Sequence, residues 1–440
     1  MNPEFQRNVW LELTPLRLVV MAAVLALAFF AAALSNGLIT PGGVARALFL
    51  VLVVVWGTHN AARSVVGEIR DRTWDSQRLS SLGPGTMMWG KLFGATVFNW
   101  TGGLVCLAVI AADTLNTAGI AAAFAEVVYY VAMGVIATAT SLSASLIGAR
   151  RRQGRTNIEV FLYQVAGLAA ALAVAVIADP TGSSIGTFPR TDTLLWWNRT
   201  LPTSTFLLAS LAVFAGWMLT GCYRQMRLEL KLRNGPWVWL GFLAFMGVYA
   251  AGFDAFAPLH FDEITARLML AGLVIAGLAY VAAILEPKSK VQLRWLGGEF
   301  GRFHLGAALS HLQCWMMSYL VAAAIAVALM VRFAMLAMGP ELATTGAVLG
   351  FVTRDLGVIV LMAMLTRRRG GDLLALAVLI LIYWLLPSIL HSLQYYGGQA
   401  LFLPYRTDPL WMSPAAAWLE AVAVWAIAVT QMALSEKSSR

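Results

Sequence analysis

Apolar residues run through this chain in blocks of about twenty, each ended by a short polar or charged stretch. At 1.5 Å per residue, a helical block of that length matches the ~30 Å hydrocarbon layer of a bilayer, so each block predicts a membrane-spanning helix. The blocks fall at 18–36, 45–65, 90–112, 119–147, 158–178, 203–222, 236–256, 266–285, 314–336, 343–365, 372–391 and 414–433, about twelve spans in all. Ahead of the first, Phe5, Val9, Trp10, Leu13 and Leu16 recur at helical spacing with polar residues between them. That pattern predicts a short helix lying in the membrane interface, with Trp10 at headgroup depth. The first block is longer than a signal-peptide core and has no small-x-small cleavage site, so it predicts a retained span. The expected fold class is an all-α polytopic membrane protein.

Composition narrows the class further. With 60% hydrophobic and 12% charged residues, a chain of 440 residues is not a soluble domain. The net charge of +9 would suggest nucleic acid in a soluble protein, but here the cations sit between the spans. Of 31 lysines and arginines, 24 lie in the termini, in the loops after even-numbered spans or in the span ends that border those loops, Arg150–Arg152 and Arg367–Arg369 among them. The positive-inside rule then places both termini in the cytoplasm and the chain in a cell inner membrane, with membrane lipid rather than nucleic acid around it. Cys106, Cys222 and Cys314 are far apart, without CxxC spacing, and are expected as small hydrophobes.

Two landmarks repeat at one shift. Glu68 is followed 218 residues later by Glu286, and the arginine triplet at 150 is followed 217 residues later by that at 367. A shared shift predicts two six-helix repeats, 1–235 and a divergent 236–440. In each repeat the longest outer loop precedes the sixth span and carries aromatic residues, Trp196 and Trp197 in one, Tyr395, Tyr396 and Trp411 in the other. These suit short helices dipping into the outer interface.

The most distinctive segment runs from Gly67 to Lys91, between spans two and three. It holds Glu68, the Arg70-Asp71-Arg72 cluster, Thr73, Trp74, Asp75, Arg78, the Leu79 to Leu82 turn, Pro84 and Gly90-Lys91. This order resembles the cytoplasmic coupling elbow of the permease subunits of type-2 ATP-binding-cassette (ABC) exporters. The departure is that Arg72 and Trp74 stand where that family usually has Gly and Leu. The resemblance implies a permease that exports a substrate by coupling to ATP hydrolysis in separate cytoplasmic ABC ATPase subunits, which would bind the ATP and Mg. It also implies a short helix in the elbow that docks on the ATPase. In such a helix Trp74, Leu79 and Leu82 would form the apolar ridge, and Arg72, Asp75 and Arg78 the flanking charges. Because one chain holds two six-span units, a single copy could complete the pathway; a second permease copy or an accessory subunit is the alternative.

Other classes fit less well. Gly85 to Leu92 imitates a phosphate loop, but Leu92 replaces the Ser or Thr that holds magnesium and no strand precedes it, so no cofactor is expected in this chain and it is not an enzyme on its own. Gly67 to Arg72 matches the first six positions of the major-facilitator loop motif, making a facilitator-type secondary transporter the alternative, but Trp74, Asp75 and Ser76 break the match. An intramembrane enzyme would need HExxH, GxSxG or paired aspartates, which the spans lack. Polar residues inside spans are candidates for a substrate path or for structural ties: His59, Asn60, Glu126, Arg354 and Asp355, with Glu420. For Arg354 and Asp355, about 100° apart on a helix, separate partners are expected rather than a mutual pair. His304 and His311 share a face without close metal spacing, and no metal site is expected. Asn198-Arg199-Thr200 fits a glycosylation sequon in an outer loop.

Overall fold

The computed structural model describes residues 2–35, 40–150, 157–178, 193–253, 261–288, 295, 298, 312–365, 371–404 and 409–437. Arg151 and Arg152, Arg367–Arg369, the outer-loop residues 179–192 and, between the blocks at 266–285 and 314–336, His304 and His311 lie outside this set.

The protein is an all-helical multi-pass membrane protein. In chain order its helices are α1 (Pro3–Glu12), α2 (Pro15–Leu34), α3 (Pro41–Arg70), the five-residue α4 (Trp74–Arg78), α5 (Pro84–Trp89), α6 (Val97–Ala118), α7 (Ile120–Arg150), α8 (Asn157–Ala178), α9 (Thr203–Glu229), α10 (Trp237–Ala251), α11 (Glu263–Leu285), α12 (Cys314–Met335), α13 (Gly339–Leu365), α14 (371–392) and α15 (Met412–Lys437). Among the described residues eleven are long and apolar enough to span a bilayer. The block expected at 236–256 is the exception. Its helix, α10, has 15 residues, about 22 Å, and its pattern breaks at Gly252.

Local chemistry sets several helix starts. Proline stands at the first or second position of α1, α2, α3 and α5, where its missing N–H is not needed. Asn2, Thr40 and Asp262 accept backbone N–H bonds at the starts of α1, α3 and α11. Gly119, at φ 86°, makes the tight turn between α6 and α7 that a side chain would disfavour.

The chain divides into two compact units, Met1–Leu194 with Arg199–Asn234, and Leu195–Asn198 with Gly235–Arg440. In the first unit α7 is central: Tyr129, Tyr130, Met133 and Ile136 pack with Phe49 and Val53 of α3 and with Cys106 and Ile110 of α6. In contrast α2 buries only Leu25 and Ala32, leaving Leu16, Val20, Val24 and Leu27 for the lipid. Within α3, Leu50–Trp56 is a π-helical stretch. Such stretches loosen the backbone ladder, and neighbouring side chains supply the bonds: Asn99 of α6 donates to the Leu52 carbonyl (2.9 Å) and Gln164 of α8 to that of Val55 (3.0 Å).

In the second unit α13 holds the centre, with Leu356, Ile359 and Val360 against Ala282 and Ala283 of α11 and Trp315 of α12. Gly350 lets α15 approach closely, since a Cβ there would lie 2.8 Å from that of Ala417. Residues 195–198 form the tip of a two-stranded hairpin (β1, Thr193–Trp196; β2, Arg199–Pro202) rather than a helix. Trp197 and Asn198 both have positive φ, as a type I′ turn requires, and the Asn198 amide that the sequon would present donates to Glu263 (2.7 Å). In the later outer loop the described backbone makes only a 3₁₀ turn, Tyr396–Leu401.

Candidate functional site

The elbow is built from the end of α3. Arg72 adopts φ 60°, and the N–H groups of Arg72 and Thr73 bond back to the carbonyls of Ile69 (3.3 Å) and Glu68 (2.9 Å). This is a Schellman ending, with Arg72 at the left-handed position that usually takes glycine. The chain therefore reverses at once into α4, and Arg72 itself is exposed.

Glu68 is the hub of the segment. Its carboxylate accepts from Arg7 (2.9 Å), Gln77 (2.6 Å) and Lys91. Lys91 is 1% exposed, also lies 3.5 Å from Glu4, and stands 5.1 Å from the centre of the Trp74 ring. Trp74 is not part of an exposed ridge, contrary to the sequence expectation. It is buried among Met87, Met88, Leu92, Leu142, Leu146 and Met226, because an indole at this position has an apolar pocket within its own unit and a cation at its face. Leu82 is half-buried against the same cluster, whereas Leu79 projects, 88% exposed. Arg78 donates to the carbonyl of Glu229 at the end of α9 (3.0 Å) and lies 3.4 Å from Asp75. Asp75 and Thr73 are exposed, and Pro84 starts α5, which continues as a π-helical turn through Gly90–Gly94. Of the residues expected to dock, Arg72, Thr73, Asp75 and Leu79 are thus the exposed ones, on and beside a short helix pinned by Trp74, Lys91 and Arg78.

Helix α1 completes this block. Asn2 donates to the Thr86 carbonyl (2.7 Å) and Asn8 to that of Gly90 (3.2 Å), while Glu4 is buried beside Lys91. The apolar face read from the sequence is turned outward, with Trp10 73% exposed. The polar face, Glu4, Arg7 and Asn8, is the one that packs. The i, i+3, i+4 spacing of those three residues is the signal that would have found it.

Within the first unit the intramembrane polar residues do not form one path. His59 faces Gln164 (3.3 Å) and Asn60 donates to Asn99 (2.9 Å), both ties across helix interfaces near the elbow. Glu126 is buried at the opposite end of α3, held by Arg46 (2.8 Å) and Thr114 (2.5 Å), with Asp113 on the same arginine (3.0 Å). Arg46 and Asn60 are about 21 Å apart along α3, and Phe49 and Val53 fill the interval.

Arg354 and Asp355, in the second unit, are buried and bonded to each other (2.9 Å), which corrects the expectation of separate partners alone. Flexing at the side-chain torsions brings the guanidinium across the 100° step. Each also has other partners: Arg354 reaches Glu420 of α15 (2.6 Å), and Asp355 accepts from Tyr280 and Tyr383 (2.6 Å each). The cluster ties α11, α13, α14 and α15 together. Outside the spans, bonds from the Thr265 hydroxyl and Arg332 hold the Asp262 carboxyl below the usual aspartate range. Glu286, the counterpart of Glu68, caps α12 instead, accepting from the Cys314 (3.1 Å) and Trp315 (3.2 Å) N–H groups. No protein-family model, curated protein or solved structure matches this chain.

Proposed function

We propose that the chain is the membrane permease subunit of an ABC exporter, set in an inner membrane with both termini cytoplasmic and driven by separate cytoplasmic ATPase subunits. The observation that supports this best is the form of the elbow. Leu79, at the C-terminal end of a five-residue helix, is exposed, as are Arg72 and Asp75 before it, while Trp74, Lys91 and Arg78 lock the helix to α5, α7 and α9. A displayed apolar side chain with flanking charges suits a protein partner, and a rigid base transmits what the partner does. Closure of an ATPase pair can bias the packing of the spans only through contacts that differ between the two packings, and this elbow would be such a contact. ATP and Mg would be bound by the ATPase. The substrate is carried by this chain, which performs no chemistry on it.

The combined substitution Asp75→Lys and Leu79→Ala tests the assignment, since both side chains are exposed and the one ion pair lost, Asp75 with Arg78 at 3.4 Å, lies on the surface. It should leave insertion and thermal stability within ~0.5 kcal/mol of the parent. Co-purification with the ATPase, and stimulation of its turnover, should be lost. Unchanged association and transport in that variant would sink the proposal.

A further inference from the structure

Beside the elbow, the first unit has an open polar cavity of about 810 Å³, and against it an apolar groove of about 560 Å³. They share four wall residues: Glu12, Arg17, Asn60 and Arg63. The groove continues from that junction between α2, α3 and α6, along Val20, Val24, Leu48, Leu52 and Phe98. A polar chamber opening onto a lipid-accessible apolar slot has the shape of an amphiphile.

The charges at the junction decide which amphiphile. Glu12 and Arg17 neutralise each other at 2.8 Å. Further along the polar wall, Glu4 and Glu68 are matched by Lys91 and Arg7. Arg70 and Asp71 stand two turns away at the helix end, about 10–12 Å from Arg63. Arg63 lies within a span, is exposed, and makes no ion pair or hydrogen bond among the described residues. A guanidinium at the depth where polar wall gives way to hydrocarbon calls for an anion that itself belongs to the bilayer. We infer that this junction is a binding site for one anionic phospholipid, its phosphate on Arg63 with Asn60 beside it, and one acyl chain in the groove along α2. The weakly buried α2 leaves the slot open to the surrounding leaflet, so the lipid enters sideways. This site stands on the first unit alone and holds whether or not an ATPase docks on the elbow.

The test uses the full chain in nanodiscs of equal parts phosphatidylcholine and phosphatidylglycerol, with the lipid retained after detergent release weighed by native mass spectrometry. The parent protein should retain phosphatidylglycerol preferentially. Arg63→Gln should lower that preference about tenfold, the loss expected for one charge-assisted contact, whereas Arg63→Lys should keep most of it and so separate charge from folding damage. Val24→Trp fills the groove from the exposed side of α2 and should reduce retention of both lipids. Excess inorganic phosphate, which brings no acyl chain, should leave the lipid in place. Equal retention of the two lipids by the parent, an unchanged preference in Arg63→Gln, unchanged retention in Val24→Trp, or displacement by phosphate would each overturn the assignment.

Discussion

Lys91 carries more of the elbow than any other side chain. It is a fully buried ammonium whose charge is met by Glu68, with Glu4 and the face of Trp74 close by. Removing one member of a buried ion pair leaves the other charge desolvated, and Lys91→Met should therefore destabilise the first unit by about 3 kcal/mol. Adding Glu68→Leu to Lys91→Met should recover part of that loss, and a double-mutant cycle by chemical denaturation in detergent checks it. Additive losses would show that the two side chains are not coupled. Arg72 makes the opposite case. A non-glycine residue in the left-handed region costs ~1 kcal/mol, so Arg72→Gly should stabilise the elbow by roughly that amount, read as a higher melting temperature. At this scale the sequence was only partly legible. The departures from the family pattern at Arg72 and Trp74 were visible, but not that Arg72 would keep the glycine conformation or that Trp74 would turn inward. Both depend on neighbours from α5, α7 and α9 that lie far away in the chain.

Among the elements, the interlock of α1 with the elbow has a single tight point. A Cβ on Gly90 would lie 2.5 Å from Glu4 Cγ and 3.2 Å from the Phe5 backbone nitrogen, so α1 can seat only over a glycine. Gly90→Val should expel α1, at ~1–3 kcal/mol, and raise hydrogen exchange across residues 3–12 while that of the spanning helices stays slow. Slow exchange in α1 of that variant would mean the contact is not what holds it. The spans themselves were legible because twenty-residue apolar blocks have one stable solution in a bilayer, a helix with every backbone group bonded. The π-helical stretch of α3 was not, since its freed carbonyls are satisfied by Asn99 and Gln164 from other helices. The short α10 escaped for a simpler reason: Gly252 ends the helix inside a block that composition alone reads as continuous.

For the whole molecule, the repeat of Glu68 as Glu286 preserves a charge but not its use, since one gathers cations and the other caps a helix. Function in the two halves is therefore expected to be unequal, with the partner contact on the first. The proposed orientation can be tested on the first unit alone. Ser80, in the elbow, and Asn116, near the end of α6, are both exposed and are separated by the length of that 22-residue helix, about 33 Å, so they lie on opposite faces of the bilayer. In the orientation proposed above, the arginines and lysines around the elbow face the cytoplasm. Cys106 and Cys222 are buried and Cys314 is half-buried, so replacing the three with alanine gives a background for thiol labelling. In intact cells Asn116→Cys should react with an impermeant maleimide added outside, and Ser80→Cys should react only after the membrane is opened. Outside labelling at position 80 would invert the orientation and, with it, remove the elbow from the reach of any cytoplasmic ATPase.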